Sequence, residues 1–234
     1  MNVFFAFLSD RVWQADRTEI RRFLAVMIGC FEVRIGDQRE GICRMAVVVY
    51  APRRFFDDRG WFSETFNAHS FRKLIGDVTF VQDNQSFSRD IGTVRGMHFQ
   101  TPPFAQAKLV RCLTGAILDI VVDIREGSPT YGQYVSCEIS AENGRQLFIP
   151  AGFAHGLVTL EPDTHIAYKV SDFYAPEGDK GFRWDDPALG IEWPLPPNGP
   201  LLSPKDQLLP LFKDFKSPFL YDGVPMTLTN PSEA

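Results

Sequence analysis

The stretch Ala116-Ile117-Leu118-Asp119-Ile120-Val121-Val122-Asp123-Ile124 decides how this chain folds. Leu118, Ile120, Val122 and Ile124 share one face of an extended segment, while Asp119 and Asp123 mark the other. A period of two predicts a strand. Working outward, Lys108-Leu109-Val110-Arg111 reads as the strand before it, and Ser128-Pro129 as a turn after it. Asn143-Gly144 is the strongest hairpin signal in the chain and predicts that Tyr134–Ser140 pairs with Gln146–Ile149. Gly152 turns the chain into a strand over residues 154–160, and Glu161-Pro162-Asp163 leads into another over 164–171. Upstream, Thr79-Phe80-Val81-Gln82 reads as a strand, residues 68–75 as a short helix, and Met45-Ala46-Val47-Val48-Val49-Tyr50 as an opening strand. Short strands with turns between them predict an all-β sandwich or barrel. Beyond Trp184, prolines at 187, 194, 196, 197 and 200 predict an ordered, irregular wrap with short helices.

Composition narrows the classes. A chain of 234 residues, 44% of them hydrophobic, can bury a sizeable core. Its 21 phenylalanines suit a β-rich interior, where aromatic side chains fit pleated surfaces. A formal net charge of −5 argues against non-specific nucleic-acid binding. Cys30, Cys43, Cys112 and Cys137 show no C-x-x-C spacing, so a structural zinc site is not expected and reduced thiols are. The apolar opening Met1-Asn2-Val3-Phe4-Phe5-Ala6-Phe7-Leu8 lacks a basic stretch before it and meets Asp10 and Arg11 at once, a poor secretory signal. No uncharged run approaches bilayer length, so a cytoplasmic protein with no membrane partner is expected. Residues 1–44 stand apart. Ile20, Phe23, Leu24 and Met27 share one face of a helix-like pattern over residues 13–33. The segment is either an N-terminal extension, helical or regulatory, or the result of a misassigned start, with translation beginning near Met45. The remainder, 45–234, reads as one domain.

Charge on otherwise apolar strands points to function. Arg95-Gly96-Met97-His98-Phe99-Gln100 is followed by Lys108 and Arg111, and a second histidine returns in Pro150-Ala151-Gly152-Phe153-Ala154-His155-Gly156. Tyr168 and Tyr174 follow. Charges on inward faces are tolerated mainly where they meet a ligand or each other. Together these side chains make an acid–base set with cationic anchors, suited to an anionic substrate. A metal-binding cupin needs two histidines close together plus a carboxylate; His98 is flanked by Met97 and Phe99 and no His-x-His exists, so no metal is expected. His69 and His165 carry no motif, and Arg53 and Arg54 read as a solvated face.

Residues 52–212 resemble the dTDP-4-dehydrorhamnose 3,5-epimerase family. The resemblance rests on Asp58-Arg59-Gly60-Trp61-Phe62-Ser63-Glu64, Gln82-Asp83-Asn84-Gln85-Ser86, the segments around His98, Lys108 and His155, Ser128-Pro129-Thr130-Tyr131-Gly132, Ser140-Ala141-Glu142-Asn143 and Leu202-Ser203-Pro204-Lys205-Asp206. Each motif is weak alone; in order over some 160 residues they are specific. The resemblance implies a cupin-type jelly roll, free of metal and cofactor, that inverts C3 and C5 of a dTDP-4-keto-6-deoxyhexose. It implies His98 as general base, Asp206 as the carboxylate that orients it, Lys108 with His155 as enolate stabilisers, and Tyr168 as the acid on the opposite face. Arg59 and Arg95 match diphosphate-holding residues, Gln82 and Asn84 sugar- and nucleotide-contacting ones, and Tyr174 and Lys205 further substrate-binding positions. Phe62 and Glu64 match a nucleotide-side segment that the family contributes across a homodimer by an exchanged N-terminal strand. Two departures stand out. Asp179 sits where the family more often has glutamate, and Pro204 replaces a commonly charged residue. A C3-only epimerase and a non-catalytic nucleotide-sugar-binding jelly roll remain the alternatives.

Overall fold

Strand after strand, the chain crosses from one sheet to another. The computed structural model describes residues 47–223 and the backbone of 228–229; the helical pattern over 13–33 lies outside the described residues. In chain order the elements are β1 (Val47–Tyr50), β2 (Phe55–Asp57), β3 (Gly60–Phe62), α1 (Ala68–Leu74), β4 (Gln82–Ser88), β5 (Val94–Gln100), β6 (Lys108–Thr114) and β7 (Ala116–Asp123). They continue with β8 (Tyr134–Ser140), β9 (Gln146–Ile149), β10 (Phe153–Thr159), β11 (Thr164–Val170), β12 (Asp179–Gly181), α2 (Pro204–Gln207), a 3-10 turn (Phe212–Asp214) and β13 (Leu228–Thr229). One sheet runs β13-β1-β9-β6-β11-β4 and the other β12-β5-β10-β7-β8. Between β4 and β12 the chain changes sheet at every step except β7 to β8. Nearly all pairings are antiparallel, and the result is a cupin-type jelly roll.

Alternation along the strands builds three apolar layers. Between the sheets lie Val47, Val49, Val110, Ile117, Val121, Ile139, Leu147, Ile149, Phe153, Leu157 and Ile166. Ile120, Val122 and Ile124 point the opposite way from β7, as the sequence predicted. They pack with Met97 and Phe99 beneath the C-terminal wrap, which contributes Phe182, Leu189, Trp193, Phe212, Phe215 and Phe219. On the outside of the six-stranded sheet, Phe71 and Ile75 of the α1 region cover Val48, Leu109 and Phe148. Asn67 starts α1 by accepting hydrogen bonds from the backbone N–H of His69 (3.0 Å) and Ser70 (3.2 Å). Among the described residues no helix is long and apolar enough to cross a membrane.

Three expectations differ from the structure. Thr79-Phe80-Val81 is not the strand; Phe80 joins Phe66 and Phe71 outside the sheet, and β4 is instead the polar run Gln82–Ser88. The Asn143-Gly144 turn exists, with Gly144 at φ +64° and the Asn143 side chain accepting from the N–H of Ser140 and Arg145. It joins strands of different sheets, because the connection 141–145 is longer than the two residues of a tight hairpin. Arg54 is not merely solvated: it donates to the carbonyls of Glu142 (2.5 Å) and Ala141 (2.6 Å) and lies over the Trp61 ring.

Candidate active site

The open end of the sandwich holds a cavity of about 370 Å³ lined by side chains from both sheets. Lys108, Tyr168, Gln82 and Asn84 come from the six-stranded sheet, and His98 from the five-stranded one. Register explains the convergence. On β11, Val170 pairs with Gln82 on one side and Lys108 on the other, and Tyr168 pairs with Asn84 and Val110. Residues two apart on a strand share a face, so all four point inward. On the facing sheet His155 of β10 stands directly opposite His98 of β5. Their strands come very close just beyond: a Cβ on Gly96 would fall 2.5 Å from the Cα of Gly156, and one on Gly156 would fall 2.5 Å from the sulfur of Met97. Glycine is required at both positions.

His98 Nε2 lies 2.5 Å from Oδ1 of Asp206, which is 3% exposed. Asp206 reaches it from α2, where Ser203 caps the helix by accepting from the Asp206 N–H and Pro204 occupies the first helical position. Proline suits that position because its missing N–H would be unpaired there anyway, which accounts for the departure at Pro204. Burial pushes the Asp206 carboxyl up, but hydrogen bonds from His98 and Ser203 and the nearby charges of His98 and Lys205 outweigh it and hold it below its ordinary value. The pair therefore presents an oriented imidazole to the cavity with a carboxylate behind it.

Lys108 touches the cavity but is otherwise ringed by protein. Burial pulls its ammonium down to about 8, against the opposing pull of the Asp119 and Asp179 carboxylates. Burial also raises the Tyr168 phenol, which keeps it a proton donor at neutral pH. At the rim Asp179 Oδ2 accepts from Lys205 Nζ (2.5 Å) and from the Tyr174 hydroxyl (3.1 Å). Gln82 Oε1 accepts from the Tyr174 N–H, and Gln82 donates to Asn84 at 2.8 Å. Deeper in, His155 Nε2 stands 2.6 Å from Oδ1 of the fully buried Asp119. Among the described residues no three side chains converge as metal ligands.

Cavity and sequence motifs together match a family. The family model for dTDP-4-dehydrorhamnose 3,5-epimerase matches residues 45–214. A dTDP-4-dehydrorhamnose 3,5-epimerase of Sinorhizobium fredii is 55% identical over 175 residues, covering 75% of this chain and 89% of the relative. The chain belongs to the dTDP-4-dehydrorhamnose 3,5-epimerase family. Among solved structures, the epimerase of Bacillus anthracis with TDP and PPi bound matches with a TM-score of 0.67 at 48% identity, covering 69% of this chain and 91% of that one. The epimerase of Legionella pneumophila in complex with dTDP-4-keto-L-rhamnose matches with a TM-score of 0.68 at 44% identity, covering 70% and 87%.

The structure gathers most of the epimerase's expected site residues and leaves some apart. His98, Lys108, Tyr168, Gln82, Asn84, Tyr174 and Lys205 line the cavity, and Asp206 backs it. Arg95, on β5, donates to Ser88 Oγ and the Phe87 carbonyl beside it. Arg59, Phe62 and Glu64 do not line the cavity of their own chain. Arg59 is exposed and bonded to Asp57, and Phe62 is 70% exposed. Sequence reading passed over Gln100, Gln106 and Asp119. The two glutamines lie in the quoted motifs, and Asp119 showed only as an acid on the face opposite Leu118, Ile120, Val122 and Ile124.

Proposed function

We propose that this epimerase takes dTDP-4-keto-6-deoxy-D-glucose and inverts C3 and C5 to give dTDP-4-keto-L-rhamnose, using His98 as the base. The observation that carries the reading is the His98–Asp206 pair facing a cavity it shares with Lys108 and Tyr168. Both hydrogens to be removed are acidic because each carbon adjoins the 4-ketone. His98 takes one to form an enolate, with Asp206 fixing its ring and stabilising the imidazolium. The enolate oxygen gains negative charge, and Lys108, with His155 nearby, supplies preorganised positive charge for it. Tyr168 returns a proton from the other side. The base and the acid stand on opposite sheets, the arrangement that inversion needs.

Arg95 is placed to engage the diphosphate, whose oxygens suit paired guanidinium donors. Gln82, Asn84, Tyr174 and Lys205 bind the sugar and nucleotide around the rim. Arg59, Phe62 and Glu64 complete the nucleotide side from the partner copy of a homodimer. This assignment is supported by the exposed aromatic residues of the β2–β3 hairpin, Phe55, Phe56, Trp61 and Phe62, and by the absence of all three residues from the cavity of their own chain. An aromatic-rich hairpin left largely exposed by the described residues is suited to a protein interface.

The test is His98→Asn. Turnover should fall by about three orders of magnitude or more, while dTDP affinity measured by calorimetry stays within about two-fold. Retained turnover would remove His98 as the base, and lost affinity would make it a binding residue instead.

A further inference from the structure

The loop between β11 and β12, residues 171–178, carries Tyr174 to the rim of the cavity. Its two large aromatic side chains do little to anchor it by burial, since Phe173 is 64% and Tyr174 57% exposed. Side-chain amides hold its backbone instead. Gln106 Nε2 donates to the Asp172 carbonyl at 2.7 Å, and Gln100 Nε2 to the Phe173 carbonyl at 3.1 Å. Gln82 Oε1 accepts from the Tyr174 N–H at 3.1 Å, and Gln100 Oε1 from the Ala175 N–H at 2.8 Å. Three glutamines thus take four successive loop residues in turn. Glutamine suits the work because one side chain carries both an acceptor and two donors.

Gln100 is the centre of the arrangement. It ends β5, where its backbone pairs with Asp179 at the start of β12, so one residue grips the loop by its middle and at its far end. Its side chain is buried, and both amide hydrogens are engaged, the second with the Phe104 carbonyl at 2.7 Å. We propose that Gln100, assisted by Gln82 and Gln106, is a positioning residue that presets the 171–178 loop and so fixes Tyr174 at the mouth of the cavity. Gln100 borders the cavity, but its donors already serve the loop and the Phe104 carbonyl, so it acts through the loop rather than on the substrate. What the loop presents is correspondingly ordered. The Tyr174 hydroxyl donates to Asp179 Oδ2, which also accepts from Lys205. A half-exposed tyrosine on an unrestrained loop would lose conformational freedom each time it met a ligand; with the backbone already held, that loss falls on folding and not on binding. The inference rests on the proposed reading of the cavity as the substrate site.

Gln100→Met isolates the amide, since methionine keeps the length of the side chain and removes its donors and acceptor. KM for dTDP-4-keto-6-deoxy-D-glucose should rise about ten-fold, with kcat held within about three-fold. Hydrogen exchange at the Ala175 amide of the full chain should quicken by about ten-fold or more. The deciding comparison is made in a Tyr174→Ala background. There the same substitution should change KM by less than about two-fold, because the group it positions is gone. A merely structural glutamine would lower thermal stability and leave KM in place. Should Gln100→Met not fold, Gln106→Met makes the same comparison through the Asp172 carbonyl alone, with a KM rise of about three-fold expected. An unchanged KM overturns the proposal, and so does a rise that persists undiminished without the Tyr174 ring. If the wild-type enzyme epimerises normally, either failure leaves the assignment of His98 untouched; if it does not, the functional reading fails separately.

Discussion

At the scale of the residue, the site works because a few polar groups are kept where burial disfavours them. Lys108 is the clearest case. Its ammonium is displaced down to about 8, so in the free enzyme kcat/KM should decline as the pH rises through that value. A pH–rate profile of the wild type checks this, and an activity flat to pH 10 would remove the ammonium from the mechanism. The same displacement bears on stability. Between about 8 and the ordinary lysine value of 10.5 the unfolded chain binds the extra proton, so stability rises with pH across that window. Lys108→Met should accordingly abolish turnover while stabilising the fold at pH 7 by about 1–2 kcal/mol, a figure reduced for the side chain's contact with the cavity. Chemical denaturation of the variant provides the measurement. How these residues were legible follows from their physics. His98, Lys108, His155 and Tyr168 interrupt apolar strands, and polar groups there stand out without any structure. Asp119 did not, because alternation marks it only as an acid on the face opposite the apolar residues and says nothing of its contact with His155.

At the scale of the element, strands were read well where one side chain in two is apolar, and less well where it is not. The bounds of β8 and β9 agree with the sequence, and β7, β10 and β11 agree within a residue. Strand β4 escaped because its inward residues are Gln82, Asn84 and Ser86, chosen for the cavity rather than for a core. A strand that binds ligand gives up the hydrophobic signal by which strands are recognised. The Asn143-Gly144 turn was located correctly, but its partner sheet was not, since a turn signal fixes chain reversal and not which sheet receives the next strand. One element-level device ties the end of β7 to the C-terminal segment. Arg125, 3% exposed, chelates Asp123, donates to Asp222 at 2.9 Å and lies 4.4 Å over the Phe153 ring. Arg125→Met leaves the buried Asp123 charge with the Ser128 and Thr130 hydroxyls and the backbone N–H at position 125 but no cation, and should lower stability by about 3 kcal/mol in urea unfolding. Burial pushes the Asp123 carboxyl up, yet its hydrogen bonds outweigh this and hold it below 3.8. Its contribution is therefore complete above that pH and is lost as the pH falls through its folded value. The deficit of Arg125→Met should narrow in acid, and one that widened there would contradict the account.

At the scale of the molecule, the jelly roll supplies two facing walls and an open end, and the family membership fixes the chemistry performed between them. On the proposed reading, a partner copy supplies the nucleotide side. If the β2–β3 hairpin is contributed by a partner, the wild type should sediment as a dimer, and Trp61→Glu with Phe62→Glu should shift it toward monomer and raise KM by about ten-fold or more with less effect on kcat. A wild type that is monomeric and fully active would place Arg59, Phe62 and Glu64 outside the site. None of this was available from alternation of side chains; only the ordered motifs over residues 52–212 pointed to it. The central claim, that proton abstraction occurs at both carbons beside the ketone, is tested most directly by solvent exchange. The wild-type protein is incubated with dTDP-4-keto-6-deoxy-D-glucose in deuterated water, and C3 and C5 are followed by NMR. Deuterium at both carbons, with the L-configured product trapped by a reductase, is the predicted result. Deuterium at C3 alone, or at neither carbon, would contradict it.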